Sequence, residues 1–488
     1  MVDVKKNQCT RREFLKASSA ALLAAGLAAG GGGVAASLAA GAKGTLGKAP
    51  GARPNILFVF PDQQRWDSVG CYGQKLNITP NLDKMASQGV RFEYSFTNQP
   101  LCGPARAMVQ TGKYPTEMGV YRNGITFPLD EMSLAKWLSG AGYEVGYVGK
   151  WHLAGRQGNK AGAVLPEYRA GYKDFWIASE APEMTSTGYG GHLFDADMNP
   201  VEIKGYRVDC TTDFALKFLQ TRSKDKPFFL FLSYLEPHHQ NTDYRFEGPV
   251  GSKERFAKYE VPGDLVGTKG DWRENYPDYY GACNSIDQNL GRIRAELEKL
   301  GMADNTLIIY TSDHACHFKT RNNEYKRTVH EDAIRTPLVI YGPGFRGGKV
   351  IKDFAALIDI PSTILTAAGL TVPKTMRGRP LQELASGSAK NWRKDVLIQV
   401  SESHLGRGIR TEKWKYSIAA PNNSEGPIPG ASFIYTEECL YDLEKDPNER
   451  NNLVSDPAYA GVRKKLADLL VRRMATEAGE TAPKIVPA

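Results

Sequence analysis

The sequence predicts an α/β fold: a large, mostly parallel sheet sandwiched by helices, followed by a smaller α+β domain. Three observations lead there. Unbroken apolar runs of strand length recur along the first three quarters of the chain, and stretches with apolar residues three and four apart fall between them. From about residue 376 the texture changes to shorter strands joined by turns. Alternating β and α elements bury a parallel sheet on both faces.

The first 42 residues stand apart. Thr10-Arg11-Arg12-Glu13-Phe14-Leu15-Lys16 precedes an Ala/Gly-rich run that ends in Ala40-Gly41-Ala42, a small-x-small cleavage pattern. A twin-arginine signal peptide is expected over 1–42, with the mature chain periplasmic or secreted. Four consecutive glycines, Gly30 to Gly33, make a poor spanning helix, so no membrane attachment is expected after cleavage. The segment's five Lys/Arg and two Asp/Glu leave +5 of the chain's +8 to the rest. No concentrated basic stripe accompanies that small excess, which argues against nucleic acid and favours small anionic substrates. With Cys9 in the signal and Cys102 taken for catalysis, five cysteines remain, so at least one stays free, and no CxxC spacing suggests zinc.

Past a Gly/Lys/Pro linker, residues 53–375 are expected to form a catalytic domain and 376–488 a C-terminal subdomain. Asn55 to Phe60 reads as a strand ending in Pro61-Asp62-Gln63. Tyr143 to Val148 leads into Gly149-Lys150-Trp151-His152, Pro227 to Leu235 into Glu236-Pro237-His238-His239, and Thr306 to Tyr310 into Thr311-Ser312-Asp313-His314. Helices are expected at Leu134–Ser139, Cys210–Thr221 and Tyr280–Leu300. Ligands bind beyond the carboxyl ends of such strands, so four ends bearing Asp, Lys or His predict one polar pocket. Beyond 376, strands are expected at Val396–Ser401, Gly408–Ile418 and Glu438–Leu443, a helix at Ala458–Glu477, and a loop over 420–432.

The chemistry concentrates in Pro100-Leu101-Cys102-Gly103-Pro104-Ala105-Arg106. Pro104 suits the first position of a helix, which would set the Cys102 side chain at a helix N-terminus, where anions are attracted. Arg106, one turn inside, adds a fixed guanidinium for a tetrahedral oxyanion.

Cys102, Pro104 and Arg106 match Cys-x-Pro-x-Arg, and here the sequence resembles the formylglycine-dependent sulfatases of the alkaline-phosphatase-like superfamily. Gly142-Tyr143 to Gly149-Lys150-Trp151-His152, Asp62-Gln63 and Asp313-His314 resemble further elements of that family, in the same order. Leu440-Tyr441-Asp442-Leu443 to Asp446-Pro447-Asn448-Glu449 resembles its C-terminal stretch. Gln110, Val145 and Ala315 depart from the usual residues at their positions.

The resemblance implies a sulfuric ester hydrolase whose Cys102 is converted to formylglycine by a maturation enzyme. A sulfate ester needs a strong nucleophile at sulfur and then a way to release the sulfate. A hydrated aldehyde meets both needs, one hydroxyl attacking and the other expelling sulfate. A divalent cation would lower the pKa of the attacking hydroxyl. Asp62, Asp313 and the formylglycine oxygen are its expected ligands, with Gln63 and His314 completing the set by resemblance. Calcium is the first choice for oxygen ligands; Gln63 and His314 leave manganese or magnesium open. By resemblance Lys150 and Lys326 clamp sulfate, His152 assists deprotonation of the second hydroxyl, and His238 protonates or orients the leaving-group oxygen. His239 is an alternative to His238, and Lys319, Arg321 and Arg327 lie near Lys326.

The expected substrate is a sulfated saccharide or other organic sulfate. Phosphonate monoesters or phosphodiesters are the alternative, because relatives with the same Asp-Gln and Asp-His pairs hydrolyse those. Specificity is expected from loops near 155–200 and 239–275 and from the C-terminal strands, with Trp176, Tyr189, His192, Trp272, His404 and Arg410 as exposed candidates.

Overall fold

A computed structural model describes residues 53–421 and 430–488; the expected signal peptide, 1–42, lies outside the described residues. Five parallel strands form the middle of a ten-stranded sheet, in the order Thr306–Thr311, Asn55–Val59, Phe228–Ser233, Glu144–Lys150, Phe175–Ser179. Antiparallel pairing extends it on both sides, through Leu338–Tyr341 beside Thr306–Thr311 and His192–Phe194 beside Phe175–Ser179.

Alternation to two covered faces explains the unbroken apolar runs. Ile56, Phe58, Phe229 and Phe231 share a core with the helices Cys102–Thr111, Leu134–Gly140 and Asp359–Ala367. Leu57, Val59, Phe228, Leu230 and Leu232 point the other way, into a core closed by Pro80–Gln88, Arg207–Thr221 and Trp272–Lys299. The last of these helices begins at Trp272, not at the expected Tyr280, and runs through Pro277. Trp272, Tyr276 and Tyr279 are buried against a cluster that includes Phe318, and this packing outweighs the helix-breaking tendency of the proline.

The Cys102–Thr111 helix also starts earlier than expected, at Cys102, with Pro104 its third residue. The first four N–H groups of a helix have no partner within it, so proline is tolerated there too.

A five-stranded sheet follows, in the order Asp395–Val400, Gly406–Thr411, Trp414–Ala419, Ile434–Asp442, Lys484–Val486. Gly408–Ile418, expected as one strand, is two. Glu412 and Lys413 make the turn, and Thr411 Oγ1 closes it by accepting from Trp414 N at 2.9 Å. The helix Ala460–Ala478 covers this sheet through Leu466, Leu470 and Met474. Leu397, Ile398 and Ile409 join the core under the main sheet, and Gln399 N donates to Asn98 O at 2.7 Å. Among the described residues no helix is long and apolar enough to cross a membrane, and all six cysteines are free.

Candidate active site

Four of the five parallel strands end in the residues singled out above. Asp62 and Gln63 follow Asn55–Val59, Lys150 closes Glu144–Lys150 with His152 just beyond, His238 follows Phe228–Ser233, and Asp313 and His314 follow Thr306–Thr311. The pairing of these strands brings the ends together. Gly149 is essential to the approach, because its φ is +106° and a Cβ there would lie 1.8 Å from Ser233 O. Close packing lets the Lys150 carbonyl accept from Ser233 Oγ at 2.8 Å and from Arg106 Nη1 at 3.0 Å.

At the meeting point stands Cys102, 1% exposed, the first residue of its helix. Its Sγ accepts from Lys326 Nζ at 2.9 Å and Lys150 Nζ at 3.9 Å, and lies 3.2 Å from His314 Nε2 and 3.5 Å from Asp62 Oδ1. Arg106 Nη2 ties the carboxylates together, 3.0 Å from Asp62 Oδ2 and 3.3 Å from Asp313 Oδ2. Lys150 Nζ also pairs with Asp62 Oδ2 at 2.9 Å.

The donor set suits a divalent cation. Ligand atoms of Asp62, Cys102, Asp313 and His314 lie within 4.8 Å of one another, and all four residues are buried. His314 Nδ1 donates to Ala315 O at 2.9 Å, which leaves the lone pair of Nε2 facing the cluster. Gln63, held at a φ of 71°, donates from its backbone to Asp313 Oδ1 at 3.0 Å. Its side-chain oxygen accepts from Lys326 Nζ at 3.4 Å.

Burial makes these charges depend on one another. Burial and the Cys102 sulfur push Asp62 up, yet Lys150, His238 and Lys326 hold it far below the usual carboxylate range. Asp313 is pushed up to about 6 by burial and by the charge of Asp62, against the pull of His314 and Arg106. For Cys102, burial opposes ionisation, but Lys150, Lys326 and His314 bring the thiol well below its ordinary value. Positive charge therefore surrounds the Cys102 sulfur, as an anion cradle requires.

Lys326 Nζ is 3.1 Å from His238 Nε2, and His238 Nδ1 donates to His239 O at 2.6 Å. The carbonyl fixes the tautomer, so Nε2 accepts from the ammonium. Burial, Lys326 and Lys150 lower the basicity of His238. His239 stacks on His238, ring centroids 4.4 Å apart, and packs at a tilt against Tyr325 at 4.2 Å. Of the other bases near Lys326, Lys319 pairs with Asp271, Arg321 with Asp332, and Arg327 with Glu324 and Glu402.

Glu180 was not legible in the sequence. Its carboxylate accepts from three successive backbone N–H groups, Leu153 at 3.2 Å, Ala154 at 3.0 Å and Gly155 at 2.9 Å. Glu180 O also takes His152 N at 2.8 Å. These bonds anchor the turn that holds His152 at a φ of 59°. Glu180→Gln turns an acceptor into a donor facing backbone donors, and is expected to destabilise the protein by about 1–3 kcal/mol. With the turn loosened, kcat should fall while KM changes little; unfolding curves and steady-state kinetics check this, and an unaltered kcat would refute it.

Several expected specificity residues are elsewhere than in exposed loops. Trp176 is buried within its strand, stacked on Tyr147 at 5.3 Å, and Trp272 is buried in its helix. Arg410, in a strand, pairs with Glu331 at 3.0 Å and is also buried. Only Tyr189 among the six is exposed, at 47%. Aromatic identity carries no burial signal by itself, since strands and loops use the same residues.

A buried set of acids, bases and cations at the carboxyl edge of a doubly covered sheet suits the binding of a tetrahedral oxyanion. The sequence matches the Sulfatase family over residues 54–370 and the family described as N-sulphoglucosamine sulphohydrolase, C-terminal, over residues 323–476. It is 28% identical to an N-acetylglucosamine-6-O-sulfatase of Bacteroides thetaiotaomicron, with 86% of each chain covered. A sulfatase of Escherichia coli K12 is 30% identical, covering 86% of this chain and 87% of that one. A solved structure in complex with its substrate D-glucosamine-2-N,6-O-disulfate superposes with a TM-score of 0.72 at 25% identity, over 88% of this chain and 99% of that one. The chain belongs to the sulfatase family, within the alkaline-phosphatase-like superfamily.

Proposed function

We propose that this sulfatase releases sulfate from a sulfated carbohydrate outside the cytoplasm, with Cys102 converted to formylglycine as the reacting group. The observation that carries the reading is the Cys102 sulfur at the tip of its helix, 2.9 Å from Lys326 Nζ and 3.2 Å from His314 Nε2. The saccharide class is supported by the relative named for N-acetylglucosamine-6-O-sulfate and by the structural neighbour with a sulfated glucosamine bound.

As its hydrate, formylglycine supplies one hydroxyl that attacks sulfur and a second whose deprotonation restores the aldehyde. A cation held by Asp62, Asp313, His314, Gln63 and residue 102, calcium first and manganese or magnesium next, would acidify the attacking hydroxyl and neutralise sulfate oxygens. Lys150 and Lys326 hold those oxygens, and Arg106 keeps the two carboxylates in register. His152 takes the proton of the second hydroxyl, and His238, once its Nε2 carries a proton, protonates or orients the leaving-group oxygen.

Mass spectrometry of the Cys102 peptide, from protein made with a competent maturation enzyme, should show thiol-to-aldehyde conversion; an active but unmodified enzyme defeats the mechanism. Sulfate release from defined sulfated saccharides tests the substrate, with nitrophenyl phosphodiester and phosphonate alongside. The sulfates should show the higher kcat/KM. Chelation is expected to lower turnover about 100-fold or more, with recovery on adding back a divalent cation. Export by the twin-arginine route is tested by the loss of extracytoplasmic enzyme when Arg11 and Arg12 are both replaced by lysine.

A further inference from the structure

One buried carboxylate beside the site has no task in this chemistry. Glu183 lies on the short turn Pro182–Met184 after the Phe175–Ser179 strand, with its side chain 4% exposed. Its Oε1 is 3.5 Å from Lys150 Nζ and 3.4 Å from Asn241 Nδ2, while Oε2 has no hydrogen-bond partner in the protein. The backbone beneath is pinned, because Gln240 Nε2 donates to Glu183 O at 2.7 Å and to Ser186 O at 2.9 Å. Burial opposes its charge, but Lys150, His238 and His152 hold the carboxyl at about 2, so it is ionised in neutral solution.

Leaving a buried carboxylate oxygen unpaired costs stability, and such a group calls for an explanation. Sulfate binding does not supply one, since a negative charge beside the cradle repels the anion. Neutralising Lys150 does not either, because Asp62 sits closer, at 2.9 Å. An ionised carboxylate only accepts, so its natural complement is a donor. Lys150, His152 and His238, which lie near enough to act on Glu183, are the groups that flank the ester and its leaving group in the reading above.

We propose that Glu183 is a specificity-determining acceptor. It takes a hydrogen bond from a hydroxyl or amino group that neighbours the sulfate ester on the leaving group. The proposal rests on the sulfatase reading and predicts a preference for sulfates of polyhydroxylated or amino-bearing compounds over esters lacking such a donor.

Phenyl, 2-hydroxyphenyl, 2-aminophenyl and 2-methoxyphenyl sulfate test it with leaving groups of similar acidity. The methoxy ester keeps the oxygen but removes the donor, and the amino ester separates amine from hydroxyl recognition. A hydrogen bond to a charged acceptor predicts a kcat/KM ratio of hydroxy over methoxy ester of about 10-fold or more. That ratio should fall to near one in Glu183→Met, with Glu183→Gln between. The same comparison by calorimetry on Cys102→Ser protein reads the preference without turnover. A ratio near one in the wild type, or an unchanged ratio in Glu183→Met, overturns the proposal; a uniform loss across all four esters assigns Glu183 to Lys150 alone. Should neither these esters nor the sulfated saccharides yield sulfate while the binding preference persists, the reading of Cys102 as the reacting group fails and the acceptor stands.

Discussion

Cys102→Ala is expected to yield a folded protein whose sulfate release is down by about 10⁴-fold or more, the scale of losing an enzyme's nucleophile. Alanine fits the space of the thiol, and Cys102 lies in a helix whose buried residues keep every other contact with the core. Asp62, Asp313 and His314 remain to hold a cation, so calorimetry should still detect metal binding. Retained binding with lost turnover separates the removal of the reacting group from collapse of its surroundings. Unchanged turnover would assign the activity to a contaminant.

Arg106→Met is expected to do comparable damage by a different route. The guanidinium is 1% exposed and bonds to Asp62, Asp313, the Lys150 carbonyl and Ser233 Oγ, the last at 2.6 Å. Methionine replaces its volume but leaves two neighbouring carboxylates with one charge partner fewer. Removing one member of a buried ion pair costs about 3–5 kcal/mol, which denaturant unfolding in the presence of a chelator will read. A divalent cation should narrow the deficit, because it supplies positive charge to the same two carboxylates. A variant as stable as the wild type under chelation would mean that the carboxylates are not held by Arg106.

Why the centre of the site was legible in advance, and its support was not, follows from where each signal lies. Asp62, Lys150, His238 and Asp313 end apolar runs, and strand periodicity together with the rule for parallel sheets suffices to gather them. Glu180 and Glu183 follow a strand just as closely, but they belong to no spacing pattern. Their importance comes from backbone N–H groups and a lysine that only the folded chain brings near. The same limit explains the long helix. Pro277 reads locally as a stop, and only burial of Trp272 and Tyr276 against a distant segment overrules it. Arg410 failed for the opposite reason, since a lone arginine in the sequence does not reveal that Glu331 waits opposite it.

The depth of Cys102 sets a chronology for the molecule. A side chain 1% exposed beneath Lys150, Lys326 and His314 offers no approach for a second protein. If its thiol becomes an aldehyde, the maturation enzyme must reach residues 100–106 while they are still an accessible strip of chain. On that reading, once the four strand ends close over that strip, an unconverted copy would be sealed in its thiol form, beyond rescue by later encounters with the maturation enzyme.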